Sequence, residues 1–217
     1  MEFSLHAPFF EINLGSFFED IRQISKVKIK HAIDVALAIG CDPVVVHPGY
    51  TFLTDKVKDI ERMTKERFIE DLVEICAYAR ERGLRIALEN VHMPVFFFYE
   101  FGQFRELHNI IPDLGITFDL GHAYVTQCSK GAKDPDGAIV KELQGMDIGH
   151  IFHVHLHNNR GVRDDHTFFS GKIDMRRILK TLYEKQYTGK VIVESYDVEE
   201  HGIKAVLKKL ETIIPST

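Results

Sequence analysis

The chain has 217 residues, 45% of them hydrophobic, with a formal charge of −5; it is long enough to bury one sizeable core, and residues 1–217 read as a single domain. Three scattered cysteines, Cys41, Cys76 and Cys128, lack CxxC spacing, which argues against a disulfide framework and fits small core residues in a reducing cytoplasm. No apolar run approaches the about 18 to 20 residues of a membrane span, the N-terminus lacks the basic-then-apolar order of a signal peptide, and the acidic balance supplies no global basic field for nucleic acid.

Taken in chain order, β-rich apolar runs alternate with segments of helical period. The pattern predicts a strand at 3–6 and a helix at 21–39, then a strand at 44–47 and a helix at 64–82. In the second helix Phe68, Leu72, Ile75, Cys76 and Ala79 make one apolar face, and Gly83 is its natural stop. Further strands are expected at 85–89, 115–119, 150–155 and 191–194, with helices at 100–109, 137–145, 174–185 and 200–213. About six βα units imply an α/β fold of TIM-barrel-like parallel repeats, without a low-complexity stretch or linker.

Each predicted strand ends on or beside an ionisable residue, and the unusual composition lies just beyond, in the loops. These are His6-Ala-Pro-Phe-Phe, His47-Pro-Gly-Tyr, Glu89-Asn-Val-His-Met-Pro, Asp119-Leu-Gly-His122 and the stretch 155–171. In a βα barrel that rim carries the chemistry. His153-Val-His155-Leu-His157 has the period of two that puts three imidazoles on one face of a strand, and Asp164-Asp165-His166 adds a carboxylate and an imidazole. Asp119 with His122, and Glu89 and Glu194 at two further strand ends, complete the set.

Imidazole nitrogens with carboxylate oxygens and no thiolate suit zinc, manganese or iron in a catalytic site. Many separate strands bring costly ionisable groups to one rim, where a cation would relieve the repulsion among carboxylates. His31, His108 and His201 lie on helices and are read as surface or packing residues. His92, His150, His153 and His157 are assigned at most to outer hydrogen bonding of a ligand.

The ordered series His6, His47-Pro-Gly, Leu-Glu89-Asn, Phe-Asp119-Leu-Gly-His122, His155-Leu-His-Asn, Asp164-Asp-His166 and Val-Glu194-Ser resembles the xylose isomerase-like TIM barrels (AP endonuclease family 2) over nearly the whole chain, in particular the endonuclease IV branch. The resemblance implies one ion among His6, His47 and Glu89. It implies a second among Glu89, Asp119, His155 and Glu194, and a third among His122, Asp164 and His166. Up to three Zn2+ would serve phosphodiester hydrolysis at abasic DNA by activating water and neutralising phosphate charge. The sugar isomerases and epimerases of the same superfamily need only the set resembling Glu89, Asp119, His155 and Glu194 around one ion, often Mn2+, with Glu89 and Glu194 as the proton-transfer pair.

Against that family the chain begins at the segment resembling its third strand, so two leading βα units are expected to be missing. A six-unit sheet would leave open edges, for which a homo-oligomer is one remedy and a different packing another. The aromatic run Phe96 to Tyr99 also replaces the expected glycine-rich loop. Phe9 and Phe10 are candidates for a wedge in DNA, for the wall of a sugar pocket or for core packing, and Arg160, Arg163 and Lys172 for phosphate or sugar contacts. Because the nine-ligand set exceeds what an isomerase requires, phosphoester hydrolysis stands slightly ahead of isomerisation of a small phosphorylated sugar. A non-catalytic metal-binding remnant is the third reading.

Overall fold

The computed structural model describes residues 2–52 and 57–214. It divides into two compact units, Met1–Thr117 and Phe118–Thr217, each with its own set of strands and helices. Among the described residues every paired strand is parallel to its neighbour, and helices separate the strands in sequence. No described helix is long and apolar enough to cross a membrane.

The first unit holds β1 (Phe3–His6), α1 (Glu19–Ile39), β2 (Cys41–Val46), α2 (Lys58–Arg80), β3 (Ile86–Glu89) and α3 (Phe101–Ile110). β4 (Gly115–Asp119) starts in it, and the sheet order there follows the chain, β1-β2-β3-β4. Val44, Val45 and Val46 are at most 2% exposed, as expected of a parallel strand covered on both faces. The face predicted for the second helix is borne out: Phe68, Leu72, Ile75, Cys76 and Ala79 are all buried in α2. Its end differs slightly, since α2 stops at Arg80 and the chain turns through Gly83, whose φ of +69° is easy only without a Cβ.

α1 is joined to α2 by a ladder of charge. Buried Arg22 donates to Asp71 at 2.9 Å, and Lys26 lies 3.0 Å from the other Asp71 oxygen and 2.8 Å from Glu74. These cations would be costly to bury without the carboxylates facing them.

The second unit holds the end of β4, α4 (Leu120–Ser129), α5 (Pro135–Gln144), β5 (Ile151–Leu156), α6 (Met175–Glu184), β6 (Lys190–Val193), α7 (Val198–His201) and α8 (Ile203–Ile213). β5 and β6 pair in register, His155 beside Ile192 and Leu156 beside Val193.

Three expectations are corrected here. The segment after Asp119 is the helix α4 rather than a loop, because the Asp119 carboxylate accepts from the His122 amide at 2.7 Å and caps its first turn. The last predicted helix is two, separated at Gly202. β2 begins at Cys41, three residues before the valine run on which the strand was placed.

Candidate metal centres

Two groups of donors are built at strand ends, one in each unit. In the first unit His6 closes β1, His47 follows β2 and Glu89 closes β3. The parallel register brings them together: His6 Nε2 and His47 Nε2 lie 3.2 and 3.3 Å from the same Glu89 oxygen, and Glu89 is 1% exposed. His6 Nδ1 donates to the Ala7 carbonyl at 2.8 Å, which fixes that ring and leaves Nε2 for the carboxylate or an ion. Phe9 stacks on the His47 ring with centroids 4.5 Å apart and meets Phe10 at 4.3 Å, so the Phe-Phe pair lies beside this group. The glycine of His47-Pro-Gly is required by packing, since a Cβ on Gly49 would lie 2.5 Å from the Gly15 nitrogen.

In the second unit Asp119, at the end of β4, is fully enclosed and surrounded by imidazoles. His157 Nε2 lies 2.9 Å from one Asp119 oxygen, and His155 Nδ1 lies 3.6 Å from the other. Burial alone would raise this carboxyl, but His122, His157 and His155 outweigh it and hold the pKa well below the carboxylate range. His155 also approaches Glu194 at 2.8 Å, and the Glu194 side chain is 38% exposed, within reach of a solute. One ligand atom from each of Asp119, His155 and Glu194 lies within 4.8 Å of the others.

A neighbouring group in the same unit comprises His122, His157, Asp164 and His166, again with ligand atoms within 4.8 Å of one another. Asp164 Oδ2 lies 3.1 Å from His122 Nε2 and 2.7 Å from His166 Nε2. Burial would raise Asp164, yet hydrogen bonds from His122 and His166 lower it far below the ordinary value. Burial would lower His166, and the Asp164 contact reverses that and raises it. His166 has φ +44°, a strained conformation for a residue with a Cβ. Its carbonyl accepts from the Tyr196 amide at 2.9 Å and the Ser195 hydroxyl at 3.0 Å, which hold the turn.

The loop carrying Asp164 and His166 is latched by two asparagines. Asn158 Oδ1 accepts from the Ile173 amide at 2.9 Å, and Asn159 Nδ2 donates to the Gly121 carbonyl at 2.8 Å. Arg160, Arg163 and Lys172 are exposed on this loop, and Arg163 donates to Asp165 at 2.8 Å.

All nine expected ligands therefore fall into these groups. Both donor chemistry and spacing fit a divalent ion, since zinc bonds of about 2.0 to 2.1 Å require ligand atoms roughly 3.3 Å apart. The residue that the sequence pattern undervalues is His157, which takes part in the cluster directly. The signal is present in the period-two register that carries His155 on to His157, but the strand's end supplies no reason to continue it inward.

A family model described as xylose isomerase-like TIM barrel matches residues 1–213. The chain belongs to that family. Like other members of this enzyme superfamily it carries the repeated βα pattern, and its relatives narrow the comparison. An uncharacterized protein of Methanocaldococcus jannaschii is 33% identical over 99% of this chain and 71% of its own length. An inosose isomerase of Halalkalibacterium halodurans is 24% identical over 82% of this chain and 61% of its own. The crystal structure of a D-tagatose 3-epimerase-like protein superimposes with a TM-score of 0.79 and 32% identity, covering 98% of this chain and 78% of that one. The chain thus spans well short of the full length of these family members.

Proposed function

We propose that this family member is a divalent-metal-dependent isomerase or epimerase of a small sugar, sugar phosphate or cyclic polyol ketone. The observation that carries the reading is the Asp119, His155 and Glu194 group: a buried carboxylate and imidazole beside a glutamate that is open to solvent. The isomerase and epimerase names of the relatives support it over the hydrolysis that the ligand count alone put ahead.

A divalent ion held by Asp119, His155 and Glu194 would polarise a substrate carbonyl and acidify the adjoining C–H. Glu194 would accept that proton and return it on the same face to the neighbouring carbon, which isomerises the substrate, whereas inversion at the same carbon requires a second acid on the opposite face. His155 Nδ1 faces both carboxylates, Glu194 at 2.8 Å and buried Asp119 at 3.6 Å, so one imidazole edge brings the two together. The family resemblance gives Glu89 the part of a companion acid–base group. Arg160, Arg163 and Lys172 supply cationic side chains for a phosphate on the substrate.

The test is solvent exchange. The purified chain, loaded with Mn2+ or Zn2+, is incubated in D2O with ketoses, ketose phosphates and inososes, and deuterium at carbons next to the carbonyl is followed by NMR. Incorporation with interconversion is expected, falling about 100-fold or more in Glu194→Gln, the range for a lost acid–base group. The second reading, phosphoester hydrolysis, is favoured by the added His122, Asp164 and His166 donors. Cleavage of abasic DNA or a simple phosphodiester with no exchange in any sugar would establish it and overturn the isomerase.

A further inference from the structure

Glu194, the proton-moving group of the proposed reaction, lies one residue beyond the end of β6, where its amide donates to the Leu156 carbonyl at 3.2 Å. The three residues that follow it are fastened to the loop after β5. The Tyr196 amide donates to the His166 carbonyl at 2.9 Å, and the Ser195 hydroxyl stands between that carbonyl, at 3.0 Å, and Asp197 Oδ1, at 2.5 Å. Asp197 reaches furthest: Oδ1 accepts from the Phe168 amide at 2.9 Å and Oδ2 from the Phe169 amide at 3.1 Å.

An aspartate in this place has a simpler use. Asp197 is the N-cap of α7, the position from which a carboxylate ordinarily takes a first-turn amide of its own helix. It makes no such bond, and both oxygens go instead to amides 29 and 28 residues earlier. Those amides belong to a strap, residues 166–169, that closes the loop carrying Asp164 and His166. The Thr167 amide within it donates to the Asn158 carbonyl at 3.0 Å, Lys209 of α8 donates to the Phe168 carbonyl, and the Phe168 side chain is fully buried. The strap is therefore held by the end of β5 on one side and by residues 195–197 on the other, and the bonds to the ionised carboxylate are the stronger kind.

We propose that Asp197 is a positioning residue for Glu194: its carboxylate ties the segment 194–197 to the strap, and so sets where the Glu194 carboxylate stands toward the substrate and toward an ion. The inference rests on the proposed reading in taking Glu194 as the group that moves the proton. The tie needs a carboxylate. Asparagine has the same shape but one oxygen, and with that oxygen kept on Phe168 and Ser195 its NH2 meets the Phe169 amide, donor against donor.

Three measurements on the full chain compare Asp197→Asn with the parent. Amide hydrogen exchange by NMR, in metal-free protein, reads the tie itself. Titration with Mn2+ alone, followed by EPR of the free ion, reads the equivalent that is lost in Glu194→Gln, without turnover. Deuterium exchange into ketoses and inososes at saturating Mn2+ gives kcat and KM. The Phe168 and Phe169 amides are expected to exchange at least about 10-fold faster, as befits the loss of one charge-assisted bond, while amides of β5 and α6 keep their rates. The Glu194-dependent Mn2+ is expected to bind about 10- to 100-fold more weakly, and kcat to fall by about the same factor with KM within about two-fold. A structural role alone would speed exchange throughout β5 and α6 and leave Mn2+ affinity in the folded chain unchanged.

Unchanged exchange at Phe168 and Phe169 overturns the tie. Faster exchange there with Mn2+ affinity and kcat at parent values overturns its action on Glu194, as does a parent in which no Mn2+ equivalent depends on Glu194. Ser195→Ala removes one donor and leaves the carboxylate; it moves the same readouts by a smaller factor and serves if Asp197→Asn does not fold. A parent chain that exchanges deuterium into no sugar refutes the isomerase, and the amide and Mn2+ measurements then still decide the tie.

Discussion

Replacing Gly121 by alanine puts a methyl group 1.9 Å from His157 Cε1 and 2.3 Å from its Nδ1, where ordinary carbon contacts need about 3.5 to 4.0 Å. The ring has no free space to yield: it is buried, bonded to Asp119 at 2.9 Å and stacked on His166 at 4.0 Å. Nor is α4 free to withdraw, since the Gly121 carbonyl is held by Asn159 at 2.8 Å. Losing the charge-assisted His157–Asp119 bond costs about 1.5 to 3 kcal/mol, and overpacking about 1 to 3 kcal/mol. Alanine's better helix propensity returns about 1 kcal/mol. The net loss is about 1.5 to 5 kcal/mol, which for a chain of this size lowers Tm by roughly 3 to 20 °C. Thermal denaturation of both proteins in chelator measures it without the contribution of bound metal. A Gly121→Ala variant melting within about 1 °C of the parent would show that the helix and ring separate freely, and the packing argument for this glycine would be wrong.

Asp71→Ala strips one partner from both Arg22 and Lys26, which among the described residues keep Glu19 and Glu74 respectively; a loss of about 3 kcal/mol is expected, the low end for breaking a buried pair, and urea unfolding indistinguishable from the parent would refute it. Burial pushes the Cys76 thiol up to about 12, whereas Cys128 is less enclosed, so Ellman's reagent at pH 8 should titrate Cys128 first and Cys76 only on denaturation. Equal native rates would contradict that order. Burial would raise Asp197, but the Ser195 hydroxyl and the amides of Phe168 and Phe169 outweigh it and lower its pKa in the folded chain. Its stabilisation is therefore complete above the unfolded value of about 3.9 and is lost as pH falls through the lower folded value. The stability gap between the parent and Asp197→Asn should narrow below about pH 4, and a gap independent of pH from 6 to 3 would refute the assignment.

Local pattern was sufficient for much of this molecule. The apolar face of α2 follows from a 3.6-residue period, the valines of β2 from an uninterrupted β-branched run, and the strand-end candidate ligands from ionisable residues gathered at successive strand ends. The order of those ligands along the chain carries the family resemblance without any contact between them. Other features depended on partners distant in sequence. Asp119 starts a helix because its carboxylate caps an amide, a choice that competes with the loop its glycine suggests. Arg22 is buried because Asp71 faces it from another helix. His157 is the clearest case: its place in the period-two run made it indistinguishable from an outer hydrogen-bonding residue. What its Nδ1 faces was decided by the latched loop that brings Asp164 and His166 back beside it, since pairwise electrostatics between residues far apart in the chain leaves no mark on local periodicity.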